Sequence, residues 1–176
     1  MTASELQRFR AEKDRVFARD PHSPLGPDQR HSFHGLDYFD ENPQLVIHAS
    51  IDRHIEPDEV RMGTSDGQEQ SYHRHGLVRF RVDDQTAELV LYASGDSDEL
   101  FVPFRDATSG HETYGAGRYL EVEPHGDHVT IDFNYAYNPN CAYDSAWSCP
   151  LPPTENWLKV PIRAGEKIFA GHEAAS

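Results

Sequence analysis

Around residues 78–91 apolar side chains return at every second position, the period of a β-strand with one buried face. Val78, Phe80 and Val82 alternate with Arg79 and Arg81, and Ala87, Leu89 and Leu91 follow a polar interruption. With 83–86 as a four-residue loop, Val82 faces Ala87, Phe80 faces Leu89 and Val78 faces Leu91, so an antiparallel hairpin is expected. A second ribbon follows the same logic. With 124–127 as the turn, Val122 faces Val129, Leu120 faces Ile131 and Arg118 faces Phe133. The opposite face then carries Tyr119 with Asp132, Glu121 with Thr130, and Asn134. Leu45, Ile47, Ala49 and Ile51 give another alternating run, as do Leu100, Val102 and Phe104. Hairpins in series without a βαβ rhythm predict a mainly β fold, an antiparallel barrel or sandwich.

The ends of the chain read differently. Residues 2–19 predict a helix, with Ser4 and Gln7 at capping-box spacing, Leu6, Phe9, Val16 and Phe17 near one stripe, and Asp20-Pro21 as the stop. Residues 21–43 read as an ordered connection pinned by Phe33, Leu36, Tyr38 and Phe39. The β-rich core is expected over 44–176. Within it, 138–157 form a Pro-rich strap in which Asn side chains satisfy orphan peptide groups. Tyr135, Tyr137, Tyr143, Trp147 and Trp157 would anchor the strap, and a cis peptide is most expected between Pro150 and Pro153. At 176 residues, one domain is the expectation.

Charge narrows the partners. With 30 acidic residues against 16 basic ones the formal charge is −14, a surface that repels nucleic acid phosphates and anionic lipid heads. Lysine occurs only at Lys13, Lys159 and Lys167. An acidic, lysine-poor surface is the expectation for a salt-rich cytoplasm, where screening removes self-repulsion; an ordinary acidic protein is the alternative. No apolar stretch approaches the ~20 residues that cross a bilayer, and the charged N-terminus lacks a signal peptide's apolar segment. A cytoplasmic protein with reduced thiols is expected.

The string FRDATSGHETYGAGRYLE at 104–121, followed by DFNYAYNPNCAY and CPLPPTENWLKVPIRAGEK, closely resembles the shared half of the family called domain of unknown function 1684. FHGLDYFDENP at 33–43 is similar to that family's shorter upstream element. The resemblance implies that these positions form one recurring unit and brings no assigned activity. Many family members resemble secreted or lipid-anchored proteins with an extra upstream segment, and this chain is expected to lack one.

Several groups could carry chemistry. Ser109 and Gly110 lie in a glycine-rich loop, 108–117, that could present amides to an anion or simply turn the chain into a strand. Arg118, on an apolar face, needs either an incoming anion or a carboxylate, with Asp106 and Glu166 as internal candidates. Asp132 and Asn134 beside Tyr119 would form a hydrogen-bonding site if their face lines an interior, with Tyr137 and Asn138 nearby. Cys141 and Cys149 could be a disulfide, buried thiols or a reactive pair. His73 and His75 would share one side of a strand, but zinc wants four ligands and C-x-x-C pairs are absent, so no metal or cofactor is expected. The leading expectation is a small-ligand-binding protein for a polar or anionic molecule, contacted by Ser109, Gly110, Arg118, Tyr119, Asp132, Asn134, Tyr137, Asn138 and Cys141. The alternatives are a hydrolase or thiol-dependent enzyme using Cys141 or Ser109 with His111 as base, and a structural or partner-binding module.

Overall fold

A computed structural model describes residues 3–56 and 58–169. Helix α1 spans Glu5–Arg19. It opens on a capping box in which Ser4 Oγ accepts from the Gln7 amide and Gln7 Oε1 accepts from the Ser4 amide. The helix is shorter than 2–19, because Ala3 and Ser4 precede its first turn and Thr2 lies outside the described residues. A short α2, Pro27–His31, follows. The 21–43 connection is ordered as expected: Leu25, Leu36 and Phe33 pack with Phe17 of α1 and Tyr143 of the strap.

Seven strands form two antiparallel sheets: β1 (Val46–Ser50), β2 (Glu59–Gly63), β3 (Glu69–Val82), β4 (Gln85–Ala93), β5 (Leu100–Phe104), β6 (Arg118–Val122) and β7 (His128–Asp132). One sheet runs β2-β3-β4-β5-β6 and the other pairs β1 with β7. Both turn apolar faces to one core that includes Val78, Leu89, Val102, Leu120, Ile131 and Ile162. The protein is therefore mainly β with an N-terminal helix.

The β3–β4 hairpin forms, but its register differs from the expected one by two residues. Phe80 faces Ala87 and Val78 faces Leu89 across a two-residue turn. Asp83 and Asp84 both take positive φ, 48° and 67°, as a type I′ turn needs, and its twist matches that of the strands. A shift of two residues keeps every side chain on its face. At Gly76 the close approach of the chain after β1 excludes a side chain, since a Cβ there would stand 2.3 Å from Ile51 Cγ2.

The second expected ribbon does not form. β6 pairs with β5 and β7 with β1, and only a His125–His128 bridge joins the two segments. Pro124 has no N–H to continue a ladder, so the chain turns a corner between sheets instead of folding back. Leu120, Val122, Val129 and Ile131 still point into the shared core. The face expected to join Tyr119 with Asp132 is not assembled.

The strap runs along two strands. The residue before it bonds to β6 (Tyr119 and Tyr137 exchange both backbone hydrogen bonds), its middle bonds to the end of β2 (Leu151 N to Gly63 O, 2.8 Å), and its end to the chain after β5 (Arg105 N to Asn156 O, 3.1 Å). No cis peptide occurs among the described residues. Of the expected anchors, Tyr143 is buried and Tyr137 packs on Tyr119, whereas Trp147 is 42% exposed. Trp157 is half exposed, with Arg105 stacked on its ring at 4.4 Å. Trp147 lies in a turn whose backbone, not its indole, is tied down, its carbonyl accepting from Ser65 Oγ.

Candidate functional site

The motif-bearing half brings its charged residues together, but inside the protein. Arg118, at the start of β6, is fully buried. Its guanidinium lies 3.6 Å from Asp106 Oδ1 and donates to the carbonyls of Ile162 (2.8 Å), Glu166 (3.1 Å) and Ala164. Burial pushes the Arg118 pKa down, while the Asp106 and Glu166 carboxylates oppose that shift. Asp106 is itself held by the Ile162 amide (2.6 Å), the Thr108 amide and hydroxyl, and Ser109 Oγ. Of the two carboxylates foreseen as internal partner for Arg118, Asp106 pairs with it, whereas Glu166 reaches the guanidinium through its backbone carbonyl.

Glu166 extends this network to the surface elements. Its carboxylate accepts from Tyr143 OH (2.8 Å) and the Asn138 amide (3.1 Å) and pairs with Lys13 of α1. One carboxylate thus ties the helix, the strap and the C-terminal segment together. The glycine loop is closed on itself: the amides of Gly110 and Gly117 donate to Thr113 O and Tyr114 O. Gly117 sits at φ +109°, where a Cβ would meet Phe104 O at 2.5 Å, so its role is a tight entry into β6.

Asp132 and Asn134 serve a different purpose from the expected polar site. Asp132 accepts from the Asn134 amide and side chain, and Asn134 clamps residue 42 by bonding both its N–H (2.8 Å) and its C=O (3.0 Å). Ser109 and His111 do not pair as nucleophile and base, and Asp132 is engaged elsewhere. Ser109 bonds Asp106, His111 is exposed, and Asp132 caps the 133–135 turn. His73 and His75 are separated by the β3 bulge, which breaks their alternation.

Tyr119, Tyr137 and Cys141 do meet, on the outer side of β6. They form a cluster with Cys149, packed against Phe101 and Tyr114. Both cysteines are free and buried. The Cys141 amide donates to Cys149 Sγ at 3.3 Å, and the Tyr114 hydroxyl is 3.7 Å from Cys141 Sγ. Hydrogen bonding from the Cys149 thiol holds the Cys141 thiol below the usual range, burial opposes this, and Tyr114 and Ser65 add to the lowering. Cys149, whose thiol donates to Cys141 and is buried, is pushed up. Tyr137 OH donates to Glu121, whose pKa burial raises.

Several recesses open on the surface. The outer face of the β1–β7 ribbon has a groove of about 420 Å³ lined by His48, His125 and His128 with Ser50 and Thr130. Among the described residues no group of three His, Cys, Asp or Glu is placed to hold a metal ion. Another recess, of about 230 Å³, has Leu45, Val82 and Pro161 beside Asn42, Gln44, Arg81, Arg163 and the carboxylate-bearing Asp83. Arg81 Nη2 donates to Asp84 O and Arg163 Nε faces both oxygens of Glu112. Sequence reasoning passed over Arg163, because only the return of the chain after the strap brings it beside Arg81.

The chain matches the model of the family described as protein of unknown function (DUF1684) over residues 31–167. Comparison with curated proteins gives no match. The chain is similar to the solution structure of an uncharacterized protein from gene locus rrnAC0354 of Haloarcula marismortui, at 42% identity and a TM-score of 0.71, covering 93% of this chain and 92% of that one. The family's span takes in the buried Arg118–Asp106–Glu166 network, the thiol–tyrosine cluster and the strap that joins them, and the chain belongs to the DUF1684 family.

Proposed function

We propose that this protein is a small-ligand-binding β protein for a polar anion, working in a salt-rich cytoplasm, with its ligand in the Arg81–Arg163 recess and not over Arg118. The single observation behind this reading is that Arg81 and Arg163 line one concavity, against one carboxylate, Asp83, on a chain whose formal charge is −14. A planar guanidinium binds carboxylate or phosphate through paired hydrogen bonds, which resist screening better than a diffuse positive field does. Asn42 and Gln44 add amide donors, and Leu45 with Pro161 gives an apolar floor that excludes water. We read the two sheets as an open barrel linked by the Asp52–Leu77 bridge, with this recess near the β3–β4 turn.

Titration with inorganic phosphate, sulfate and short dicarboxylates at constant ionic strength tests the reading by thermal shift. At least one anion is expected to raise the melting temperature saturably, and the Arg81→Ser/Arg163→Ser variant is expected to lose that response. No saturable shift, or the same shift in the variant, would remove it. The high-salt part has its own check in urea unfolding. Stability is expected to rise from dilute buffer to molar KCl as acidic self-repulsion is screened, and salt-independent stability would count against it.

A second reading, thiol-dependent chemistry, is favoured by one observation: Cys141 Sγ, Cys149 Sγ and the Tyr114 hydroxyl share one cluster. Its nucleophile would be Cys141, its thiolate stabilised by hydrogen bonds from the Cys149 thiol and the Tyr114 hydroxyl where the sequence reading expected a histidine base. In the native protein iodoacetamide is expected to modify Cys141 selectively, with a half-maximal rate at a pH below that of an ordinary thiol. Equal inertness of both cysteines would retire this reading.

A further inference from the structure

We propose that Cys141 and Cys149 form a modification site for small hydroperoxides, in which Cys141 is oxidised and Cys149 resolves it as an intramolecular disulfide. This rests on the thiol reading above and adds the substrate class and the second sulfur's role.

Three observations carry it. The first is proximity without a bond: both thiols are free, and Cys149 Sγ already lies 3.3 Å from the Cys141 amide nitrogen. The second is that the backbone on each side is fixed. Cys141 belongs to a 3₁₀ turn, Asn140–Ala142. Cys149 is held to Ser65 by a reciprocal pair, its amide donating to Ser65 Oγ at 3.1 Å and its carbonyl accepting from the Ser65 amide at 2.9 Å. Two sulfurs on anchored backbones are held in one cluster, which raises the effective concentration of the second at the first. The third is the surroundings. Tyr114, Tyr119 and Tyr137 wall the cluster with rings, and the Tyr114 hydroxyl stands at Cys141 Sγ, where it can donate to a thiolate.

The hydroperoxide class follows from access and charge. The two cysteines are only 4% and 6% exposed, which favours a small neutral oxidant over a bulky or charged one. In the first step the Cys141 thiolate attacks one oxygen of the hydroperoxide. An S–O bond forms, the O–O bond breaks, and the departing alkoxide or hydroxide takes a proton to leave as alcohol or water. Cys141 is then a sulfenic acid. In the second step the Cys149 sulfur attacks that sulfenic sulfur. The S–S bond forms, the S–O bond breaks, and hydroxide leaves with the Cys149 proton as water. In sum two thiols lose two electrons and two protons, and the hydroperoxide is reduced to alcohol and water.

The test treats fully reduced protein at pH 7 with hydrogen peroxide, then quenches with acid and maps the peptides by mass spectrometry without reductant. The expected result is a 141–149 crosslink, formed about tenfold faster than free cysteine is oxidised in the same buffer. Cys149→Ser is expected to stop at a sulfenic acid on Cys141 that dimedone traps, and Cys141→Ser to form no crosslink. Circular dichroism checks that both variants fold; if either does not, the wild-type crosslink and rate decide alone. Oxidation no faster than that of free cysteine, or oxidation without the crosslink, overturns the proposal. Parallel labelling with iodoacetamide separates the two claims. Selective alkylation of Cys141 with slow peroxide oxidation removes the hydroperoxide and leaves the thiol reading standing. Failure of both reagents to discriminate Cys141 removes both.

Discussion

Replacing Arg118 by methionine is expected to destabilise the fold by about 3–5 kcal/mol, the usual cost of removing one partner of a buried ion pair. The variant leaves Asp106 charged in the interior beside Thr108 and the Ile162 amide, and leaves the carbonyls of Ile162, Ala164 and Glu166 without their guanidinium donor. Arg118→Lys keeps the charge, but one ammonium cannot reproduce a planar fork that faces three carbonyls and a carboxylate, so an intermediate loss is expected. Urea unfolding measures both: the midpoint should fall with the slope unchanged. Because the pair is fully enclosed, the loss should persist in molar KCl, which separates it from the salt response of the acidic surface. An Arg118→Met variant as stable as the wild type would show that the guanidinium is not a structural keystone.

Asn156→Ala is expected to cost about 3 kcal/mol or more, through a mechanism the strand pattern conceals. β4 and β5 share a single paired position, Tyr92 with Phe101, and Pro103 in β5 has no N–H to donate. The gap is filled by a side chain. Asn156, fully buried, accepts from Val90 N (2.8 Å) and donates to Val90 O (3.0 Å) and Pro103 O (2.9 Å), so its amide acts as a short piece of strand between the two. Alanine leaves three buried backbone groups unsatisfied and a void, and each such group costs about 1–3 kcal/mol. Chemical denaturation checks the size. Amide exchange should be faster at Val90 than at Leu89, since only Val90 loses its acceptor.

Strands that turn one face to the main core were legible, because the period of two survives a change of partner; β2, which packs Val60 and Met62 into a smaller cluster, was not. Val78, Phe80 and Val82 face the core whether the β3–β4 loop has four residues or two. Asp83 and Asp84 were the overlooked signal, since Asp accepts the left-handed backbone that a two-residue turn demands. The 118–133 ribbon failed for the complementary reason. Alternation says which way Leu120 and Ile131 point but not which strand lies alongside, and Pro124 was the local sign that the ladder would not continue. The burial of Arg118 and its partners Asp106 and Glu166 could be anticipated, because a guanidinium among apolar residues requires compensation. The roles of Lys13, Asn156 and Arg163 could not. Each depends on contacts across many residues of chain, which no local pattern records. The same limit separated Asp132 from Tyr119, while the strap brought Cys141 to Cys149 through a turn that the run of prolines and asparagines had marked.

A double-mutant cycle on Arg118 and Asp106, read by urea unfolding, tests the internal role of the network most directly. Arg118→Met and Asp106→Leu should each be strongly destabilising, and the double variant should be less damaged than the two losses added together, by about 2 kcal/mol or more, since it leaves neither charge alone in the core. Strictly additive losses, or single variants that keep wild-type stability, would contradict the claim that this pair holds the β core to the strap and helix.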